Sequence, residues 1–139
     1  MARCFMYGVE RWLVIAKTDL LSARHLLKGE FYAAATFYCQ QSAEKALKGF
    51  MTFYKLPLVK THDLVGLLTI CCDKDQSFDK LLNSAEYLNP FSTKFRYLSE
   101  YDIPDEKEAV EAVDHAQRIL IFVNRKTKIS EDLGQQGVF

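Results

Sequence analysis

The segment from residue 37 to residue 50 reads FYCQQSAEKALKGF, a run in which polar groups cluster without any loop signal. On a helix that turns by about 100° per residue, its amide and charged side chains fall close together, while its apolar and small residues occupy another arc. The polar set consists of Gln41, Glu44, Lys45 and Lys48. The segment therefore predicts a core-forming helix that carries a small, ordered polar patch.

Two interpretations of this polar patch are open. It is a solvated face stabilised by pairs such as Glu44 with Lys48, each adding about 0.2–0.5 kcal/mol. Alternatively, the folded bundle presents it to a shared groove as a binding site. Asp19 lies at the edge of the apolar stripe of the preceding helix, so its carboxylate either stays wet or finds a donor, with Lys45 and His62 as the candidates.

Helical periodicity continues on both sides of the segment. The predicted helices span about residues 9–28, 31–54, 62–72, 78–88 and 105–123. Gly29 is expected to end the first helix, and Thr61 is expected to cap the third, with Asp63 in its first turn. Asp105 and Glu108 match an acidic capping box at the start of the last helix. Between Phe91 and Pro104 the pattern predicts no clear element.

Length and composition indicate one domain. The chain has 139 residues, of which 49% are hydrophobic and 26% charged, enough apolar material for a single core. We predict an all-α fold, a five-helix antiparallel up-and-down bundle over residues 1–124, followed by a flexible tail over residues 125–139.

The remaining bulk features narrow the class of protein. No apolar run of about 18 residues and no secretory signal pattern is present, which predicts a cytoplasmic protein without a membrane span. The four cysteines have no metal-site spacing, so we expect small apolar fillers and neither metal nor cofactor. Residues 1–60 carry nine basic and four acidic residues (9 − 4 = +5), and residues 61–139 carry nine and fourteen (9 − 14 = −5). This balance argues against broad nucleic-acid coating.

Several short sequence elements occur in a familiar order. AKTDLLSA at residues 16–23 precedes QQSAEKALK at 40–48, and Pro57 and THDL at 61–64 follow. In order and spacing the chain resembles the HEPN family of small helical domains, from about Trp12 to Val123. The resemblance implies a homodimer with a cleft lined by polar residues. It also implies a minimal nucleotidyltransferase as partner, in a toxin–antitoxin or related defence pair.

Arg96 is the residue on which the question of enzymatic activity depends. HEPN members that cut RNA carry an Arg followed, after four to six residues, by a His, because an imidazole moves the proton while a guanidinium holds the phosphate. No histidine follows Arg96 at this spacing; Tyr101 lies in the window, and an unperturbed phenol with a pKa near ~10 is a poor base. KFRY at residues 94–97 instead resembles the Arg-Tyr element of the non-catalytic, nucleotidyltransferase-associated branch.

We therefore predict a non-catalytic module that binds a nucleotide or a partner protein. The predicted ligand-binding residues are Gln41, Glu44, Lys45, Lys48, His62 and Arg96, supported by Asp19 and Tyr101. Arg96 is a candidate phosphate contact with Lys45 and Lys48 as companions, although a plain surface arginine and a structural first-turn histidine are open alternatives. One rival function is a metal-independent endoribonuclease, in which Tyr101 or His62 replaces the missing histidine. The other is a purely structural dimerisation protein.

Overall fold

The computed structural model describes residues 2–94 and 103–127, with side chains from residue 7 to 92 and from 103 to 127. These residues form a helical bundle and contain no strand. The helices are α1 (Ala2–Lys28), α2 (Tyr32–Phe53), α3 (Leu64–Lys74), α4 (Leu82–Leu88), α5 (Phe91–Lys94) and α6 (Glu106–Thr127). A 3-10 helix, Gln76–Leu81, leads directly into α4.

The all-α bundle is confirmed, and each of the five predicted helices is present. The first part of the predicted fourth helix is a 3-10 helix, Gln76–Leu81, and the short α5 was not predicted. The other differences lie at helix ends: α1 begins at Ala2, and α6 continues past the predicted boundary at Asn124 to Thr127. Asn124 and Thr127 are both buried, which explains why the helix continues there. The division between domain and tail remains a prediction, since residues 128–139 lie outside the described part.

The start of α3 corrects one prediction. Asp63, not Thr61, is the N-cap, because its Oδ1 accepts from the backbone N–H of Val65 at 3.1 Å. The Thr61 hydroxyl accepts from the backbone N–H of Asp63 at 3.1 Å, one step earlier. His62 consequently precedes the helix instead of opening it. The predicted capping box of α6 is present, with the Glu108 backbone N–H 2.8 Å from Asp105 Oδ1.

Two helices end on residues with left-handed backbone. α1 ends at Lys28, so Gly29 is the first residue beyond it, as predicted. The left-handed residues are Glu30, with φ 65°, and Lys55, with φ 56°. At the first of these ends, the backbone N–H of Phe31 donates to Leu26 O at 2.9 Å, the long bond of a Schellman motif. The turn brings α2 back along α1 as the predicted antiparallel hairpin.

Helix α2 lies at the centre of the bundle and packs against α1 and α6. Small residues allow the close approach to α1: the Ser42 hydroxyl donates to Ala16 O at 2.7 Å. A Cβ added to Gly49 would lie 3.1 Å from Leu13 Cδ2. Because α2 is enclosed on both sides, polar residues on it must be paired within the protein. Among the described helices, none is long and apolar enough to cross a membrane.

Candidate functional site at the Glu44 network

Glu44 is the buried centre of the polar patch on α2. Its side chain is only 3% exposed, and its two oxygens are held separately. Oε2 lies 3.0 Å from Lys48 Nζ, one turn along the helix. Oε1 lies 2.8 Å from His62 Nδ1, across the loop that joins α2 to α3. A carboxylate removed from water needs such partners, so the patch is an internal network and not a solvated face.

A line of side-chain amides runs beside Glu44. Lys45 Nζ donates to Gln41 Oε1 at 3.0 Å, and Gln41 Nε2 donates to Gln40 Oε1 at 2.7 Å. Gln40, which is fully buried, donates in turn to the main-chain oxygen of His62 at 2.9 Å. His62 is thus fixed twice, through its backbone by Gln40 and through its ring by Glu44.

Asp19 of α1 faces the same network. Its Oδ2 lies 3.8 Å from Lys45 Nζ, so of the two expected donors Lys45 is the neighbour, whereas His62 is bound to Glu44. Burial raises the pKa of Asp19, the Lys45 ammonium lowers it, and the Glu44 carboxylate raises it further. Lys48 lies 5.9 Å from the centre of the Trp12 ring, which gives its ammonium a second contact with α1.

The ring of His62 projects outward from this scaffold and is 67% exposed. It borders an open groove of about 440 Å³ between the start of α3 and the end of α4. The groove is lined by His62, Asp63, Val65, Glu86, Asn89, Pro90 and Ser92. Asn89 joins its two walls, since its Oδ1 accepts from the Leu64 backbone N–H at 2.9 Å and its Nδ2 donates to Asp63 at 3.0 Å.

The bond to Glu44 determines which nitrogen of His62 carries hydrogen. An ionised carboxylate can only accept, so Nδ1 must be the donor. In the neutral ring, Nε2 then holds the lone pair. The exposed ring therefore presents a hydrogen-bond acceptor, and a potential proton acceptor, at a fixed position beside the groove.

The predicted site is brought together in large part. Gln41, Glu44, Lys45, Lys48, Asp19 and His62 form one cluster, in which the bond from Gln40 to the main-chain oxygen of His62 joins the two halves. Arg96 and Tyr101 lie outside the described residues, so their predicted roles stay predictions. Lys45 and Lys48 contact Gln41 and Glu44, and their expected role as phosphate companions of Arg96 stays a prediction.

Sequence reasoning missed two residues of the site. Gln40 lies beside Gln41 in the quoted segment, and its position on the inner arc of the helix was the available signal. Asn89 carried a weaker signal, because Asn-Pro looks like an ordinary helix stop. The pairing of His62 with Glu44, 18 residues earlier in the chain, was also missed.

The HEPN domain model matches residues 9–126 of the chain. This chain belongs to the HEPN domain family. A search of curated proteins returned no match.

Solved structures agree with the fold of this HEPN domain. The protein TT1696 from Thermus thermophilus is 31% identical with a TM-score of 0.78, covering 85% of this chain and 97% of its own. ST0689, an archaeal HEPN homologue, is 31% identical with a TM-score of 0.73, covering 86% and 97%. A HEPN domain protein from Thermotoga maritima is 24% identical with a TM-score of 0.71 over 86% and 98%, and supports the fold alone.

Proposed function

We propose that this HEPN domain is a non-catalytic binding module of a homodimer, which accompanies a minimal nucleotidyltransferase in a toxin–antitoxin or defence pair. One observation carries the proposal: the buried Glu44 and Gln40 hold an exposed His62 ring in a fixed place beside a groove. A side chain ordered before binding loses little further freedom on contact, which favours recognition. His62 is therefore the residue through which we expect a partner to be recognised.

The charges around the groove favour a protein partner over a nucleotide. Asp63 and Glu86 line it, and none of its described lining residues is Lys or Arg. The two lysines nearest to Glu44 and Asp19 are engaged inside the network. A phosphate would meet like charge here, whereas a donor-bearing protein side chain would meet acceptors. We therefore infer that the site binds a protein partner. Nucleotide binding is the alternative that the experiments test.

The experiment is co-purification of this chain with a minimal nucleotidyltransferase from the same organism. His62→Ala should weaken the complex about 10-fold or more, which corresponds to about 1.4 kcal/mol. His25→Ala is the matched control, since His25 is also exposed but lies on α1, and it should leave binding unchanged. A complex insensitive to His62→Ala would contradict the proposed site.

Nucleotide binding has a separate measurement. Thermal shifts with nucleoside mono-, di- and triphosphates should stay near zero for the isolated protein. A ligand present at 100 times its dissociation constant would add about 2.7 kcal/mol of stability, so a true site is easily seen. A thermal shift that is seen in wild type and lost in Lys45→Ala or Lys48→Ala would show that the site binds a nucleotide and not a protein.

A second candidate function, metal-independent RNA cleavage, is favoured by the same pair. A buried carboxylate bonded to His62 Nδ1 leaves Nε2 available for proton transfer, the arrangement that orients catalytic histidines in hydrolases. Labelled RNA incubated with the protein and a chelator tests it. Cleavage that is lost in both His62→Ala and Glu44→Gln, with His25→Ala active, would make the protein a ribonuclease. No cleavage is the result expected for a non-catalytic module.

A further inference from the structure

The groove at the start of α3 lies at a helix N-terminus, a place where free backbone N–H groups ordinarily bind anions. Here these groups are used within the protein. The Leu64 N–H donates to Asn89 Oδ1 at 2.9 Å, and the Val65 N–H donates to Asp63 Oδ1 at 3.1 Å. The Leu67 N–H donates to the main-chain oxygen of Asp63 at 3.0 Å. These three donors are therefore not available to an anionic ligand.

Three residues that line the groove have hydrogen-bond acceptors to spare. Within residues 7–92 and 103–127, both hydrogen bonds to the Asp63 carboxylate are made to Oδ1, and Oδ2 accepts none. A Cβ added to Gly66 would lie 3.0 Å from this Oδ2, so the glycine keeps the space beside the oxygen open. Glu86 is exposed and pairs with no residue in the described ranges. The neutral His62 ring adds Nε2 as a third acceptor. The groove therefore favours a ligand with several donors.

These acceptors do not converge on a metal site. The described part of the chain contains no group of three or more His, Cys, Asp or Glu side chains that could hold a metal ion. The groove is also open, with a volume of about 440 Å³. A larger cation, with donors spread over several atoms, fits it better than a single ion does. The guanidinium of arginine has five N–H donors in one plane, whereas the ammonium of lysine has its three donors on one atom.

We propose that the groove binds an arginine side chain of the protein partner. The guanidinium donates to Asp63 Oδ2, to the Glu86 carboxylate and to Nε2 of His62. The apolar stem of the arginine packs against Val65 and Pro90, which also line the groove. This inference rests on the proposed function, since it names the chemical group through which the partner contacts the His62 site.

The experiment is an NMR titration of the full chain with Nα-acetyl-arginine amide, a probe whose only charge is the guanidinium. We expect saturable shifts of the His62 ring and Asn89 side-chain signals. The citrulline analogue, which has the same shape but a neutral urea group, and the lysine analogue should each bind at least about 10-fold more weakly. No binding of the arginine probe, or equal binding of the citrulline analogue, would overturn the proposal.

Glu86→Gln removes one charge from the groove and keeps the shape of the side chain. The affinity for the arginine probe should decrease about 10-fold, because one charge-assisted hydrogen bond becomes a neutral one. Glu10→Gln is the matched control, since Glu10 is an exposed carboxylate on α1, and it should leave the affinity unchanged. Equal weakening by both variants would show a general charge effect and overturn the proposal. If the probe binds Arg96→Ala but not wild type, Arg96 of this chain occupies the groove, and the arginine of a partner is wrong.

Co-purification of the same variants with the nucleotidyltransferase separates this inference from the proposed function. Both are supported if His62→Ala and Glu86→Gln each weaken the complex. A complex that needs His62 but is unchanged in Glu86→Gln would leave the proposed function in place and contradict the arginine contact. If the arginine probe binds and Glu86→Gln weakens it, but the complex is insensitive to His62→Ala, the arginine site is correct and the nucleotidyltransferase is not the protein that occupies it.

Discussion

His62 and His115 each form a short side-chain hydrogen bond through Nδ1, but the two rings lie in different surroundings. Nδ1 of each ring forms a hydrogen bond of 2.8 Å: His62 donates to the Glu44 carboxylate, and His115 pairs with the Ser84 hydroxyl. The His62 ring is mostly exposed, whereas His115 is partly buried against Tyr87, with ring centres 4.6 Å apart. One pair presents a ring to a groove, and the other fastens α4 to α6. Bond length alone therefore does not separate a histidine whose ring is open to solvent from one that joins two helices; the exposure of the ring does.

The largest effect should come from removing the buried carboxylate beside His62. Glu44→Ala leaves the Lys48 ammonium without its partner in a site where the lysine side chain is only 13% exposed. Breaking a buried pair in this way costs about 3–5 kcal/mol of unfolding free energy. Urea unfolding followed by circular dichroism measures it. Glu86→Ala, at an exposed carboxylate on α4, should stay within about 0.5 kcal/mol; a similar loss there would show that the network is not special.

The next effect concerns the other histidine. Ser84 is 1% exposed, so Ser84→Ala removes the only short hydrogen bond described for His115 Nδ1 and leaves that nitrogen poorly paired. The expected loss is about 1–3 kcal/mol. Thr69→Ala, at an exposed hydroxyl on α3, is the reference variant in the same unfolding experiment. Equal stability of the two variants would mean that the Ser84–His115 bond does not fasten α4 to α6.

A smaller effect is the pH dependence of stability that His115 should cause. Burial lowers the pKa of His115 below its ordinary value of 6.5, and Arg118 lowers it further, while Asp114 and Glu111 oppose both. The unfolded chain therefore binds this proton first as pH falls, so the contribution to stability is complete above about pH 6.5 and decreases below it. Between pH 7.5 and 5.5, wild type should lose more stability than His115→Gln. If the unfolding free energies of the two proteins change with pH in parallel, His115 does not cause the pH dependence.

The smallest effect on stability is expected at His62 itself. Its ring is exposed, so water can take its place at Glu44 Oε1 in His62→Ala, and the loss should be at most about 1 kcal/mol. The same variant should have the strongest effect on partner binding. A large loss of stability with unchanged partner binding in His62→Ala would show that His62 has the structural role assigned here to His115.

Much of this architecture was predictable because it depends on near neighbours in the chain. The apolar repeats of α1, α2 and α6 follow from helical spacing, and the Asp105–Glu108 capping box joins residues three apart. Gln41, Glu44, Lys45 and Lys48 could be grouped on one face for the same reason. The cap of α3 was harder: Thr61 and Asp63 both have capping chemistry, and the contact of Asp63 with the distant Asn89 favours the second.

The sequence by itself determined the positions of the helices, the buried face of each and the cluster of polar groups on α2, because these are set by periodicity within a few turns. Only the tertiary structure decided that Glu44 is buried, since its neighbours include His62, which is distant in the chain. The tertiary structure also decided that Glu44 pairs with His62, because the end of α2 and a loop that contains Pro57 separate these two residues in the chain. When distant segments bury these charged groups, the groups must pair with one another. The local sequence pattern does not show which distant segments will bury them.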